Sequence, residues 1–65
     1  DLNDKELQFI KLACTELTYK AIAERMNLSP RTIDGYRDAL FEKLDVKSRV
    51  GLVLFAIKYG LYKLQ

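Results

Sequence analysis

Arginine and aspartate side chains recur at helical spacing in the middle of the chain, in a segment that begins at Pro30. At about 100° per residue, one face of that segment carries Arg31, Asp34, Gly35, Asp38 and Glu42. Arginine offers paired donors and aspartate offers acceptors, which is the chemistry of recognising polar edges such as those of nucleic-acid bases. A glycine inside a helix costs about 1 kcal/mol relative to alanine. We therefore expect another molecule to approach the backbone closely at Gly35.

Catalysis and metal binding are not expected from this sequence. The chain has no histidine, and its one cysteine, Cys14, falls on an apolar stripe where a structural role is more usual than a nucleophilic one. It also lacks a glycine-rich phosphate loop and a paired His/Glu helix motif. The sequence predicts a binding domain that is not an enzyme and needs no cofactor or metal.

Length and composition describe a single small globular domain, residues 1–65, with 49% hydrophobic and 31% charged residues. The longest apolar run, residues 52–57, is far shorter than the ~20 residues that span a bilayer, so no membrane partner is expected. A lone cysteine fits a reducing cytoplasm, where we expect the protein to reside. The net charge of +2 permits a polyanionic partner without requiring one.

Capping residues and helical periodicity predict an all-α fold, a compact four-helix bundle. The expected helices cover about 4–16, 19–26, 30–44 and 49–59. Residues suited to N-capping stand before each of them: Asn3 (with Glu6 completing a capping box), Thr18, Ser29 (followed by Pro30) and Ser48.

The second and third predicted helices form a helix-turn-helix pattern. Ala23 is small enough for a close helix crossing, Asn27 tolerates a left-handed turn, and Leu28 and Ile33 lock the two helices together. In this motif the second helix enters the major groove of DNA. An ordinary corner between two helices of a bundle is the alternative interpretation.

An ordered set of residues along nearly the whole chain carries a family resemblance. The set comprises Leu2-Asn3, Glu6, Ile22-Ala23, Leu28-Ser29, Thr32-Ile33, Lys43-Leu44, Val46, Ser48-Arg49 and Ala56. It resembles the signature of LuxR/NarL/FixJ-type DNA-binding domains.

This resemblance implies sequence-specific binding of double-stranded DNA for transcription regulation, with residues 30–44 as the recognition helix. It also implies the C-terminal output part of a longer two-component response regulator, with a receiver or other sensory domain before it. The chain has Asp34 and Asp38 where basic or polar residues are common in the family, which bears on the DNA sequence that is read.

Residues flanking the outward face are predicted to hold the DNA backbone, because carboxylates on that face repel phosphates. These backbone contacts are Thr18, Lys20, Thr32, Tyr36, Arg37 and Lys43. The base-facing set remains Arg31, Asp34, Gly35 and Asp38. Alternatively, the alternating charges form only a solvated helix face with i,i+3 pairs.

The fourth predicted helix is apolar on two sides, which is unusual for a surface helix of a monomer. We expect Val50, Val53, Leu54, Ile57 and Leu61 to face the core, and Leu52, Phe55, Ala56, Tyr59 and Tyr62 to lie opposite. Gly51, Leu52, Phe55 and Tyr59 are predicted to form a homodimer interface, and the resemblance implies pairing through this helix. Alternatively, the tail after Gly60 covers the patch, or the patch binds another protein and the domain is a protein-interaction module.

Overall fold

The structure is a computed structural model and describes residues 1–64. These residues form four α-helices, α1 (Asp4–Ala13), α2 (Tyr19–Met26), α3 (Pro30–Lys43) and α4 (Arg49–Lys58). The predicted all-α fold is confirmed. The bounds predicted for α2 are those observed, and α3 and α4 each end one residue earlier than predicted.

Each helix begins at its predicted N-cap because a side-chain oxygen accepts a hydrogen bond from the first turn. Asn3 and Glu6 form the capping box, with reciprocal bonds of 2.8 and 2.9 Å between side chain and backbone N–H. The hydroxyl groups of Thr18, Ser29 and Ser48 each accept at 3.1 Å from the N–H three residues later. Local sequence therefore fixes all four helix starts.

The end of α1 was predicted wrongly, since the helix stops at Ala13 and not at residue 16. The chain tightens there, with the Thr15 N–H donating to the Leu12 carbonyl at 3.1 Å and the Leu17 N–H to Thr15 Oγ1 at 3.2 Å. Arg49 from α4 donates to the carbonyl oxygens of Ala13 and Thr15. A side chain distant in sequence thus satisfies helix-end carbonyls that continued helix would otherwise have used.

The core lies between α1 and the other three helices. Its buried side chains are Phe9, Ile10, Ala13, Ile22, Ala23, Met26, Ile33, Leu40, Leu52 and Ala56. The main packing partners of α1 are α2, α3 and α4, and α4 packs chiefly on α1. This arrangement leaves one long side of α3 and one side of α4 facing outward. Within residues 1–64, no helix combines the length and the apolar character needed to cross a membrane.

The prediction for the two faces of α4 is wrong at four positions and correct at Tyr59, which was expected on the outer side and is 59% exposed. Leu52 and Ala56, expected on the outer side, are fully buried, whereas Val50 and Leu54, expected in the core, are 69% and 62% exposed. Because α4 is apolar almost all round, its periodicity does not decide which side packs inward.

Gly51, predicted to allow the close approach of a partner chain, packs closely against a residue of its own chain. A Cβ there would lie 3.3 Å from Val46 Cβ, so the glycine makes room for the connection between α3 and α4. After Gly60, Leu61 and Tyr62 pack back against the core, in partial agreement with the alternative in which the tail covers α4.

Candidate nucleic-acid interface

A three-residue turn joins α2 to α3. Asn27 adopts the left-handed conformation (φ 57°, ψ 41°), which asparagine tolerates better than most residues. The Leu28 N–H then donates to the Ala23 carbonyl at 2.9 Å, and Ser29 caps α3. Ala23 is 1% exposed, which confirms its predicted place inside the helix pair. The observed geometry is the predicted helix-turn-helix.

The outward side of α3 carries the residues predicted to face bases. Arg31, Asp34, Gly35 and Asp38 are all exposed, and together they form what we call the α3 face. A Cβ added at Gly35 would meet nothing within 4 Å. Internal packing therefore gives no reason for glycine at this position, and the expectation of close approach from outside stands as a prediction.

Three of the residues predicted to contact the DNA backbone lie beside the α3 face or at the start of α2. Thr18, Lys20 and Thr32 are exposed in the first turns of α2 and α3. The hydroxyl oxygen of Thr18 accepts the capping bond from the Ala21 N–H, so its own hydrogen is available to a phosphate oxygen. Helix N-termini add partial positive charge beside these hydroxyl and ammonium groups, which favours an anion at this edge.

Arg37 does not project freely, although it was predicted to contact the DNA backbone. Its Nε lies 3.0 Å from Asp38 Oδ1 and its Nη1 lies 3.3 Å from Asp34 Oδ1. The hydrogen bond to Asp38 raises the pKa of Arg37 above its ordinary value, and the charges of Asp38 and Asp34 add to the effect. Of the i,i+3 pairs that the alternative interpretation expected, the Asp34–Arg37 pair is present.

Tyr36 and Lys43 make contacts within the domain. The Tyr36 ring is half-buried, with its centroid 6.3 Å from that of Phe9. The Lys43 ammonium lies 3.4 Å from Glu6 Oε1 and donates to the Asp1 carbonyl. Lys43 therefore ties the end of α3 to the start of α1, about 18 Å along the helix axis from Arg31 at about 1.5 Å per residue.

The contacts of Asn3 and Lys43 with Glu6 change the pKa of the Glu6 carboxyl. The hydrogen bond from the Asn3 N–H lowers the pKa of the Glu6 carboxyl, and Lys43 lowers it further through a hydrogen bond and its charge.

The positioning roles of Arg49 and Tyr19 were not predicted from the sequence. Arg49 donates from Nε to the Ala13 carbonyl at 3.0 Å and from Nη2 to the Thr15 carbonyl at 2.9 Å. Its guanidinium lies 5.0 Å from the centroid of the Tyr19 ring, and that of Arg37 lies 5.3 Å from the same ring. Tyr19 thereby links Arg49 of α4 to Arg37 of α3. In the sequence, Arg49 stands out only within the family resemblance, because its partners lie 30 or more residues away.

The fold and its exposed α3 face define a helix-turn-helix DNA-binding domain. Residues 1–56 match the family model described as bacterial regulatory proteins, luxR family, and the chain belongs to this family. As such it is a DNA-binding domain of transcription regulation. The predicted family and the predicted function are both confirmed.

Curated relatives include two response regulators. The chain is 37% identical over 60 residues to Response regulator UvrY of Escherichia coli (strain K12), and 33% identical over 60 residues to Response regulator GacA of Pseudomonas aeruginosa. Each match covers 92% of this chain and 28% of the relative, so the chain spans less than a third of their length. No solved structure gives a significant match.

Proposed function

We propose that the domain inserts α3 into the major groove of double-stranded DNA and reads base edges with the α3 face. The observation that carries this proposal is that Arg31, Asp34, Gly35 and Asp38 are exposed together on a helix that directly follows the left-handed turn. Arginine pairs with the two major-groove acceptors of guanine, and aspartate accepts from the amino group of cytosine. Each good contact discriminates between bases by about 1–3 kcal/mol.

Thr18, Lys20 and Thr32 hold the phosphate backbone in this proposal. Lys20 supplies a full charge, while the two threonines supply hydroxyl donors next to helix N-termini. Such contacts orient the protein on the duplex without selecting sequence. They therefore contribute to affinity on every duplex, whereas the α3 face contributes to preference.

In vitro selection from a random duplex pool, followed by salt titration, tests this division. Lys20→Ala should weaken binding to every duplex by a similar factor and reduce the salt slope by about 1. Lys5→Ala, an exposed lysine at the start of α1, is the matched control and should leave the slope unchanged. The proposal is wrong if bound duplex leaves the backbone amide signals of residues 31–38 unshifted.

We propose that two copies pair through an apolar strip on α4, consisting of Val50, Val53, Leu54 and Ile57. Val50 and Leu54 are well exposed, and the strip borders a groove of about 270 Å³. The groove is lined by Ala13, Cys14, Thr15, Arg49, Val50, Val53 and Leu54. An apolar patch of this kind on a small domain marks an interface. The interface predicted from the sequence included Leu52, which is fully buried, so the proposed strip is centred on Val50 and Leu54 instead.

Sedimentation velocity, with and without a duplex carrying two half-sites, tests the pairing. Leu54→Asp should leave the domain monomeric at concentrations where the wild type dimerises. Leu64→Asp places the same charge on another leucine that is 75% exposed, and it should not change the association state. A wild-type domain that stays monomeric on DNA at millimolar concentration would exclude this interface.

We further propose that the domain is the C-terminal output part of a longer cytoplasmic response regulator, with a receiver domain before it and no enzymatic role of its own. The supporting observation is that both named relatives are response regulators more than three times as long as this chain. Phosphorylating the full-length protein with a small phosphodonor and measuring DNA affinity tests this placement. Unchanged affinity after complete phosphorylation would count against it.

The α4 strip also supports a second candidate, in which the domain binds another protein through this surface. Retention on heparin at low salt, with release as salt rises, separates the two candidates. A DNA-binding domain is retained and then released. A domain that uses only the α4 strip elutes without retention.

A further inference from the structure

Three side chains on α3 form one ion-pair cluster, Asp34–Arg37–Asp38. Arg37 uses two different nitrogens, Nε toward Asp38 at 3.0 Å and Nη1 toward Asp34 at 3.3 Å. The side chains of Asp34 and Asp38 are 53% and 70% exposed, whereas that of Arg37 is 29% exposed. The arginine is thus held against the helix while both carboxylates remain open to a ligand.

The core fixes the position of this arginine. Its guanidinium lies 5.3 Å from the Tyr19 ring centroid, and Tyr19 stacks nearly parallel on Phe9 at 6.2 Å and 8°. Phe9 is fully buried. Arg37 therefore rests on an aromatic stack that continues into the core, and the two carboxylates bind it from the solvent side.

The cluster changes how α3 meets DNA of arbitrary sequence. Non-specific binding depends on lysine and arginine contacts with phosphates. An arginine paired with two carboxylates offers a phosphate only its remaining N–H groups, and the two neighbouring negative charges repel that phosphate. On the major-groove floor, however, cytosine and adenine offer amino hydrogens that carboxylates accept.

We propose that Asp34 and Asp38 determine specificity by exclusion. On most DNA they hold Arg37 away from phosphates. Where amino groups of the bases donate hydrogen bonds to the two carboxylates, Arg37 is released. The inference rests on the proposed binding of α3 in the major groove. It adds that these aspartates weaken non-cognate binding, so the ratio of cognate to non-cognate affinity depends on them.

A mutant cycle measured by fluorescence anisotropy tests the proposal. The proteins are the wild type, Arg37→Gln, the double variant Asp34→Asn/Asp38→Asn, and the triple variant. Each is titrated with a duplex obtained by selection and with a scrambled duplex of equal composition. The double variant should bind the scrambled duplex at least tenfold more tightly than the wild type, with a salt slope steeper by about 1.

The coupling within the cycle distinguishes release of Arg37 from general loss of negative charge. Arg37→Gln should change scrambled-duplex affinity less than twofold in the wild type and at least fivefold in the double variant. Glu42→Gln is the matched control, because Glu42 is exposed on the same helix and lies outside the cluster. In the Glu42→Gln variant, Arg37→Gln should again change scrambled-duplex affinity less than twofold.

Equal effects of Arg37→Gln in the wild type and the double variant would overturn the proposal. Should Arg37→Gln unfold the domain by removing its contact with Tyr19, the wild-type Arg37 Nε–H resonance gives a second readout. It should shift with the selected duplex and keep its free position with the scrambled one, and equal shifts with both would also overturn the proposal. If neither the wild type nor the double variant binds any duplex at low salt, major-groove binding itself fails.

Discussion

Replacing Arg49 with methionine should destabilise the domain, although Arg49 is not one of the ten core residues. The change keeps a long unbranched side chain but removes both hydrogen bonds to α1, the part-buried one to Ala13 and the exposed one to Thr15. It also removes the contact between the guanidinium and the Tyr19 ring. The junction of α1 with α4 then loses its main polar link.

The expected loss follows from the three contacts. The part-buried bond from a charged donor contributes about 1–1.5 kcal/mol and the exposed bond about 0.5–1 kcal/mol, near the net values for such bonds. The cation–π contact adds about 0.5–1 kcal/mol. The sum of about 2–3.5 kcal/mol is large beside the 3–10 kcal/mol expected for a domain of roughly this size. At about 4–8 °C per kcal/mol, Tm should fall by about 8–28 °C.

Urea unfolding followed by circular dichroism at 222 nm measures this effect. Arg49→Lys, which keeps the charge but cannot bridge both carbonyls with a planar fork, should lose an intermediate amount. Arg25→Met makes the same substitution at an exposed arginine of α2 and should change stability by less than about 0.5 kcal/mol. The reasoning is refuted if Arg49→Met loses no more stability than Arg25→Met.

Three further predictions concern other parts of the domain. Gly35→Ala should raise the free energy of unfolding by about 0.5–1 kcal/mol, because a Cβ there meets nothing, while weakening binding to the selected duplex. An unchanged or lowered stability in urea would contradict this. The pKa of Glu6 is lowered in the folded state, so its stabilisation is present above the unfolded pKa and is lost as pH falls through the folded pKa. Acid titration of Glu6→Gln should therefore show a shallower loss of stability than the wild type, and parallel curves would count against the assignment. Burial raises the pKa of the Cys14 thiol, so at pH 8 it should react with a disulfide reagent more slowly than a free thiol. Since Cys14 lines the groove beside the α4 strip, dimerisation should slow this reaction further, and a rate independent of association state would argue for a different interface.

The features of the DNA-binding surface that were predicted correctly depend on local sequence. Ser29 accepts from a backbone N–H only three residues away, and the turn at Asn27 closes with a bond from Leu28 to Ala23. The exposure of Arg31 and Asp38 follows from the opposite, apolar stripe of α3. Interactions over so few residues are visible in a sequence, because neighbours in the chain are also neighbours in space.

Several long side chains make contacts within the domain that the sequence analysis did not predict. Lys43 was expected to contact DNA, but its ammonium group reaches Glu6, 37 residues away. Arg37 was expected to hold a phosphate, and its contact with the Tyr19 ring of α2 was not predicted, although its pairing with Asp34 belonged to the alternative interpretation. Charge and spacing alone do not show which of several possible partners a long side chain contacts.

Sequence by itself determined where the four helices start, the turn between α2 and α3, and the outward face of α3. Tertiary structure decided where α1 ends and which side of α4 is buried. Helix starts and turns are set by hydrogen bonds between residues a few positions apart, so they do not depend on how the helices pack. Because α4 is apolar almost all round, its orientation depends on contacts across the fold, with Arg49 bound to α1 and Gly51 packed on Val46. Those contacts exist only once the helices have come together.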